Sequence, residues 1–194
     1  MVPPATSGSQ PRLLDQLPRD HLLRELIGEH AALLAHLDRL DELLEELRDD
    51  AGTPHARSVA AEIRTIAAAL MAAETHHRKE EEVLFPAMVE AGIAQPPRVM
   101  VREHEELRAM KRRLVRAAEV DHPDSEEVAE AAGTLAGMLR DHIHNENEVL
   151  YPMAFAVLRD RAVWDRLRAA AAEIGAKSGA CCDSCRCEGS PPPR

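Results

Sequence analysis

Two eleven-residue stretches of the chain repeat one spacing of histidine and glutamate. One reads HHRKEEEVLFP over residues 76–86, and the other reads HIHNENEVLYP over residues 142–152. When their prolines are aligned, the repeated positions pair His76 with His142 and Glu80 with Glu146. Residues four apart on an α-helix share a face, with Cβ atoms about 6 Å apart. Each His-x-x-x-Glu pair can therefore offer a nitrogen and an oxygen to one metal ion, and two such helices predict a metal site inside a bundle.

Two more histidines stand at the centre of apolar helical stripes. His30 lies in a stripe that runs from Leu23 to Leu44, and His104 lies in one that runs from Met100 to Val115. Residues with this 3.6-residue period face the core of a helical protein. We therefore predict that His30 and His104 point inward, whereas His21 and His36 project away from the stripe.

The elements that must position these residues are helices. Hydrophobic residues make up 45% of the chain but aromatic residues only 2%, and no alternating β-branched run predicts a strand. The expected fold class is all-α, an up-down-up-down four-helix bundle with a short extra C-terminal helix. Its helices are predicted from Asp20 to near Asp50, from Pro54 to about Ala91, from Pro96-Pro97 to before Asp121, from Asp124 or Ser125 through Leu150, and from about Asp160 to Ala176.

The domain organisation follows from the same patterns. Residues 1–19 and 177–194 are rich in Pro, Ser and Gly, so we expect a flexible N-terminal arm and a Cys-rich flexible tail. The bundle itself is expected over residues 20–158, and the short helix over 159–176. All four cysteines lie in the tail, between Cys181 and Cys187. They could bind a soft metal ion or exchange electrons; the alternative is a reduced, unstructured end.

The six inward residues form a mixed nitrogen and oxygen ligand set. Four imidazoles and two carboxylates suit two metal ions, each bound by two histidines, with both glutamates bridging. Carboxylate with imidazole favours iron or manganese, and zinc also fits. Without a metal, burying these groups would leave unpaired donors and charges that cost several kcal/mol each. The competing interpretation is a metal-free structural bundle.

Charge and hydropathy exclude several classes of partner. The formal net charge is -10, which disfavours nucleic acid and anionic membrane surfaces. No apolar run approaches the roughly 20 residues of a membrane span. The N-terminus lacks the pattern of a signal peptide, so we expect a cytoplasmic protein.

The combination of motifs resembles the hemerythrin-like HHE cation-binding family. It covers about residues 20–158 and rests on Glu29-His30, the segment VMVREHE at 99–105 and the two repeated stretches. The resemblance implies a four-helix bundle that holds two non-haem iron ions with an oxo or hydroxo bridge. The ligands that it implies are His30, His76, Glu80, His104, His142 and Glu146, with both glutamates bridging.

The chain departs from the oxygen-carrying members at one position. Those members have a further histidine one turn before the histidine of the third helix, where this chain has Met100. The ligand pattern is similar instead to the bacterial di-iron proteins of nitric-oxide stress and iron-sulfur repair, although their N-terminal Cys-containing segment is absent here. A small diatomic ligand or peroxide, and an iron-sulfur or redox protein, are the partners implied.

The rotational register of the second helix has two solutions. The repeated frame selects His76 and Glu80, whereas the stripe of Ile63, Ile66 and Leu70 points at His77 and Glu81, about 100° away. A kink or π-bulge near the site would reconcile them. Pro86 and Pro152 should also bend their helices locally.

Three functions are consistent with the sequence. The first is a di-iron protein that binds or senses nitric oxide, oxygen or peroxide, or that handles iron. The second is an enzyme that uses the same centre to reduce nitric oxide or decompose peroxide, and the third is the metal-free bundle. No catalytic side chain is assigned, Tyr151 is expected to pack in the core, and the sequence does not indicate an oligomeric state.

Overall fold

The computed structural model describes residues 13–49, 54–119 and 124–183, and within these ranges every regular element is helical. The all-α prediction is therefore confirmed for the described chain. The helices are α1 (Leu13–Gln16), α2 (Leu22–Asp49), α3 (Pro54–Ala72), α4 (Glu74–Lys79), α5 (Phe85–Glu90), α6 (Gln95–Glu119), α7 (Ser125–Asn145), α8 (Tyr151–Val157) and α9 (Arg161–Asp183). Two π-helical turns, Glu80–Leu84 and Glu146–Leu150, join α4 to α5 and α7 to α8.

The long helices contact one another in a closed ring. Helix α2 packs against α3 and α7, and α6 packs against the same two helices. Each long helix therefore has two long neighbours, and the ring encloses one interior. At its start, α7 is capped by Asp124, whose carboxylate accepts a hydrogen bond from the Glu126 amide at 2.9 Å, as the sequence predicts.

The second predicted helix is not one continuous α-helix. It breaks at Ala73, resumes as α4 and widens into the first π-helical turn, where the Phe85 amide donates to the carbonyl of Glu80 five residues earlier. The second π-helical turn repeats this bond between Tyr151 and Glu146. In both copies a proline follows the aromatic residue; it lacks an amide hydrogen and crowds the preceding turn, so an ordinary α-turn is disfavoured there.

The interior consists of two apolar clusters with a polar layer between them. Along α2, Leu23 and Leu26 belong to one cluster and Leu33 and Leu37 to the other, with His30 between them. The same layer lies between the clusters along the other segments of the ring, where it contains the remaining predicted ligands: His76 and Glu80, His104, and His142 and Glu146. The apolar clusters shield this layer from water on both sides.

Helix α9 covers one side of the ring. It continues to Asp183, beyond the predicted end at Ala176, and contacts α2, α4 and the first π-helical turn. Val83, in the covered turn, is 7% exposed, whereas Val149 in the second turn is 53% exposed. Helix α9 therefore covers Val83, whereas Val149 at the equivalent position of the repeat faces outward.

The start of α9 also explains a correction to the sequence prediction. His21 was expected to project away from the core, but it is buried. Its ring lies 4.3 Å from that of Trp164 and 5.7 Å from that of Phe155, measured between centroids. The helical period predicts only which side chains face the bundle interior. His21 lies off that face and is buried by Phe155 of α8 and Trp164 of α9.

The packed chain begins inside the predicted N-terminal arm. Residues 13–16 form α1, Leu17 is buried, and the Arg24 guanidinium donates to the carbonyls of Leu14, Leu17 and Pro18. Residues 1–12 and 184–194, including Cys185 and Cys187, lie outside the described residues. Among the helices that the structure describes, none is both long and apolar enough to cross a lipid bilayer.

Candidate metal centre

All six predicted ligands meet in the polar layer. None is more than 4% exposed, and the side chains of Glu80, His104 and Glu146 are fully buried. His30 comes from α2, His104 from α6, and the two His-x-x-x-Glu pairs come from α4 and α7 with the π-helical turns that follow them. The interior of the ring therefore holds the side chains that the repeated motif singles out.

The four imidazoles form two pairs. The Nε2 atoms of His30 and His76, the first histidine pair, lie 3.0 Å apart, and so do those of His104 and His142, the second histidine pair. Imidazole nitrogens bind metal ions at about 2.1 Å, so two ligands at right angles to each other are about 3.0 Å apart. Each pair has the spacing of two ligands on one ion.

The two carboxylates lie between the pairs. Glu146 places Oε2 3.1 Å from His30 Nε2 and Oε1 3.0 Å from His142 Nε2. Glu80 places Oε2 3.6 Å from His76 Nε2 and 3.4 Å from His104 Nε2. Each carboxylate therefore contacts a histidine of both pairs, as a bridging ligand would.

The electrostatics of the cluster require a cation. Glu80 Oε2 and both carboxylate oxygens of Glu146 are buried and receive no hydrogen bond from any residue described. Burial alone would lower the pKa of His104, but the neighbouring carboxylates of Glu146, Glu80 and Glu81 raise it to about 11. Protons or metal ions must balance these buried carboxylates. The donor set and the unpaired oxygens fit two divalent or trivalent ions.

The outer nitrogen of each ligand histidine is also bonded. Nδ1 donates in every case to an oxygen on another helix, and the four bonds are His30 to Asn147 (3.0 Å), His76 to Glu29 (2.8 Å), His104 to Glu81 (2.7 Å) and His142 to Glu103 (2.8 Å). A proton held on Nδ1 leaves the Nε2 lone pair free to bind a metal. Such partners orient a ligand histidine and increase its basicity.

Two cations hold the carboxylates in place. The buried Lys79 ammonium bonds Glu25 and Glu29, and Arg108 bonds Glu74 and Glu81. Burial alone would raise the pKa of Glu29, but hydrogen bonds from His76 and Lys79 lower it. From the surface inward, a cation bonds a carboxylate, and that carboxylate bonds the outer nitrogen of a clustered histidine.

The structure brings both of the proposed registers to the site. His76 and Glu80 face the centre, while Glu81 bonds His104 Nδ1 from outside. His77 is buried with its ring stacked on that of His104 at a centroid distance of 3.9 Å, and one ring nitrogen of His77 lies within 4.8 Å of those of His104 and His142. The break at Ala73 and the π-helical turn together allow four residues of one short segment to contact the polar layer. They are His76, His77, Glu80 and Glu81.

Tyr151 packs in the core, as expected, and also contacts the site. Its hydroxyl donates to Glu80 Oε1 at 2.8 Å, and its ring stacks on His30 at 5.6 Å. Complete burial, with the charges of Glu146 and Glu80, raises the pKa of Tyr151 well above its usual value. The phenol is therefore neutral and acts as a donor. Met100, where the oxygen carriers have a histidine, packs in the apolar cluster.

Comparison with known proteins agrees with this geometry. The sequence profile described as Hemerythrin HHE cation binding domain matches residues 21–154, a range that contains all six clustered residues. The chain belongs to the hemerythrin HHE cation-binding family. The chain is similar in sequence to the protein named iron-sulfur cluster repair protein DnrN of Neisseria gonorrhoeae. It is 30% identical over 141 residues, which cover 68% of this chain and 86% of that protein.

Proposed function

We propose that this HHE protein holds two non-haem iron ions and uses them to bind or sense nitric oxide, oxygen or peroxide, or to handle iron. The observation that carries the proposal is the pairing of four Nε2 atoms around two carboxylates that lack hydrogen-bond donors. In a metal-free bundle, protons on the surrounding histidines would have to balance these buried carboxylates.

Each histidine pair would bind one ion, and both carboxylates would bridge them. The first subsite then consists of His30 and His76, and the second of His104 and His142, with Glu80 and Glu146 shared. An up-down-up-down course of the four long helices is part of this proposal. Mixed imidazole and carboxylate donors suit iron, manganese and zinc, and the repair function in the relative's name favours iron.

The protein's own residues control access and protons at the centre. The apolar clusters exclude bulk water, the Nδ1 partners hold each imidazole in one tautomer, and Tyr151 holds a proton beside Glu80. An iron pair, when bound, supplies open coordination positions and changes of oxidation state.

A second candidate function is enzymatic, and Tyr151 is the observation that favours it. Reduction of nitric oxide takes up protons together with electrons from a reductant, and decomposition of peroxide moves protons between its oxygens without a net uptake; the Tyr151 hydroxyl holds a proton beside Glu80 that could take part in such transfers. Turnover decides between the two functions. Consumption of peroxide or nitric oxide well beyond the bound iron would establish an enzyme, whereas uptake that stops at the iron stoichiometry would establish a binding protein.

The partner and the location are part of the same proposal. The relative named as an iron-sulfur cluster repair protein supports an iron-sulfur or redox protein as the partner of this chain. A cytoplasmic location is proposed with it.

The decisive experiment is elemental analysis with an optical spectrum on protein from iron-supplied cells. The wild type is compared with His142→Ala and with His144→Ala, a matched control because His144 is exposed on the same helix. We expect about two irons per chain in the wild type and the control, and a loss of iron in His142→Ala. Zinc or manganese in place of iron would refute the choice of metal, and no metal in any variant would refute the centre.

A further inference from the structure

The two halves of the centre differ in one of the side chains that bond the outer histidine nitrogens. Both partners of the second histidine pair are carboxylates, Glu81 and Glu103. The first pair has one carboxylate, Glu29, and one neutral amide, Asn147. The sequence repeat aligns Glu81 with Asn147, so the difference lies at one pair of equivalent positions.

The cations do not cancel this difference. Each half has one carboxylate that is bonded by a cation, Glu29 by Lys79 and Glu81 by Arg108. What distinguishes the halves is the remaining partner, which is charged in one and neutral in the other. A carboxylate on Nδ1 makes the imidazole a stronger metal ligand than an amide does.

The two halves also differ in cover. His104 of the second pair is stacked between His77, at 3.9 Å, and Phe85, at 5.9 Å. His76 of the first pair lies instead at the base of a surface groove of about 230 Å³, whose walls include Glu29, Ala69 and Ala73. The groove reaches the outer side of His76, although His76 and His142 are themselves exposed to a similar small extent, 4% and 3%.

We infer that the two iron positions are inequivalent, with a retained ion at His104 and His142 and an exchangeable ion at His30 and His76. The inference rests on the proposed di-iron function and gives its iron-handling form a structural basis. The protein would give up one iron and keep the other, and Asn147 would be the positioning residue that makes the first subsite labile.

The test is anaerobic release of iron(II) from the loaded protein to a colorimetric ferrous chelator, followed in time. Asn147→Asp gives the first subsite a second carboxylate of the same shape. Glu81→Gln removes one of the two carboxylate charges from the second subsite, leaves that of Glu103, and keeps an oxygen for His104. Glu82→Gln is the control, because Glu82 lies on the same turn but is exposed and bonds only Arg78 among the described residues.

We expect two phases in the wild type, each of one iron. Asn147→Asp should slow the fast phase about tenfold and leave the slow phase in place, since outer partners typically change metal affinity by 10-fold or more. Glu81→Gln should speed the slow phase by a similar factor, and Glu82→Gln should change neither. Two ions in identical sites that repel each other would also be released in two phases. The assignment of the fast phase to His30 and His76 therefore depends on which phase each variant changes.

Three results would overturn the inference. An effect of Asn147→Asp on the slow phase, or equal effects of both variants on both phases, would leave a di-iron centre with the assignment wrong. Fewer than two irons per chain before release would refute the proposed function and the inference with it.

Discussion

Each of the four clustered histidines has a different contact at each ring nitrogen. Nε2 faces its partner histidine across 3.0 Å, while Nδ1 is bonded to an oxygen on another helix. The outer bond fixes the tautomer, and the inner nitrogen is thereby available to a metal. The chemistry of the centre is therefore determined as much by Glu29, Glu81, Glu103 and Asn147 as by the ligands.

Replacement of Tyr151 by phenylalanine isolates the single hydroxyl at the centre. The aligned residue in the other half is Phe85, so the ring should be tolerated. Loss of the bond leaves Glu80 Oε1 buried without its donor, and we expect the free energy of unfolding to fall by about 1–3 kcal/mol. Iron content should stay at two per chain.

Chemical denaturation of the iron-loaded proteins measures this change. Phe85→Tyr is a comparison that alters the equivalent ring without touching the Tyr151 bond. Loss of iron in Tyr151→Phe would mean that the tyrosine is needed for metal binding itself.

Lys79 should contribute more to stability than the neighbouring Arg78. Lys79 is buried and bonds Glu25 and Glu29, whereas Arg78 forms one exposed ion pair with Glu82. Lys79→Ala leaves a carboxylate without its cation near the centre, so we expect a loss of roughly 1–3 kcal/mol, discounted because both partners are partly exposed. Arg78→Ala should cost less than about 1 kcal/mol. Equal losses in urea titrations would show that the buried position adds nothing.

At the residue scale, the sequence could reveal ligands but not their partners. The i and i+4 spacing brings His76 with Glu80, and His142 with Glu146, onto one helical face, and a stripe positions His30 and His104. The bond between His30 and Asn147 joins residues 117 positions apart. Such a contact depends on how two helices dock, and a helical period contains no information about docking.

At the scale of the element, the π-helical turn is the repeated unit of this fold. In each copy it starts at the buried glutamate of the repeated pair, Glu80 or Glu146, and ends before an aromatic-proline pair. The wider turn keeps His76 and Glu80 on the interior face while the residues beyond change their register. The repeated sequence thus specifies a repeated distortion as well as a repeated ligand pair.

Replacement of two glycines by alanine should change the free energy of unfolding in opposite directions. Gly92 ends α5 with φ of 92°, a left-handed conformation, and its amide donates to the Val89 carbonyl. Gly133 lies within α7, and a methyl group at either glycine would meet no atom within 4 Å. Because sterics are absent in both, only the backbone preference differs.

Gly92→Ala should destabilise the protein by about 1 kcal/mol, since alanine is strained at positive φ. Gly133→Ala should stabilise it by roughly 0.5–1 kcal/mol, since alanine is the better helix former. Thermal unfolding of both variants measures the pair. A destabilising Gly133→Ala would show that a contact at this position matters more than helix propensity.

The sequence predicted a second helix from Pro54 to about Ala91 with a kink or π-bulge near the site, and the structure has a π-helical turn there. A uniform period of 3.6 residues fits both Ile63 to Leu70 and Val83 to Leu84, but the two segments are related by a break at Ala73 and a π-helical turn. This distortion explains why the sequence gives two conflicting registers, one with His76 facing inward and one with His77 facing inward. Its location could be inferred only because the two copies share the frame.

At the scale of the whole molecule, the proposed metal positions connect elements distant in sequence. The first subsite joins α2 to α4, the second joins α6 to α7, and Glu80 and Glu146 link the two. Two bound ions would therefore hold the entire ring together. Binding to the folded state alone adds about 4 kcal/mol per ion when free metal is 1,000 times the dissociation constant.

The start of helix α9 stabilises the molecule through contacts outside the candidate metal centre. Trp164 packs on His21, and its indole nitrogen donates to the Leu158 carbonyl. Neither contact involves a residue of the metal centre. The period of α9 in the sequence predicted a helix, but the surface that it covers depends on tertiary packing.

Trp164→Ala should therefore cost the same with and without metal. Truncation of a buried tryptophan removes about 3–5 kcal/mol, and distant sites without shared partners add within about 0.5 kcal/mol. We expect removal of the metal by a chelator to lower the free energy of unfolding of the wild type and of Trp164→Ala by the same amount. Val163→Ala, a smaller change on the next residue, should cost about 1 kcal/mol in both states. A loss from Trp164→Ala that shrinks in the metal-free protein would instead show that α9 packs fully only on a ring closed by its ions.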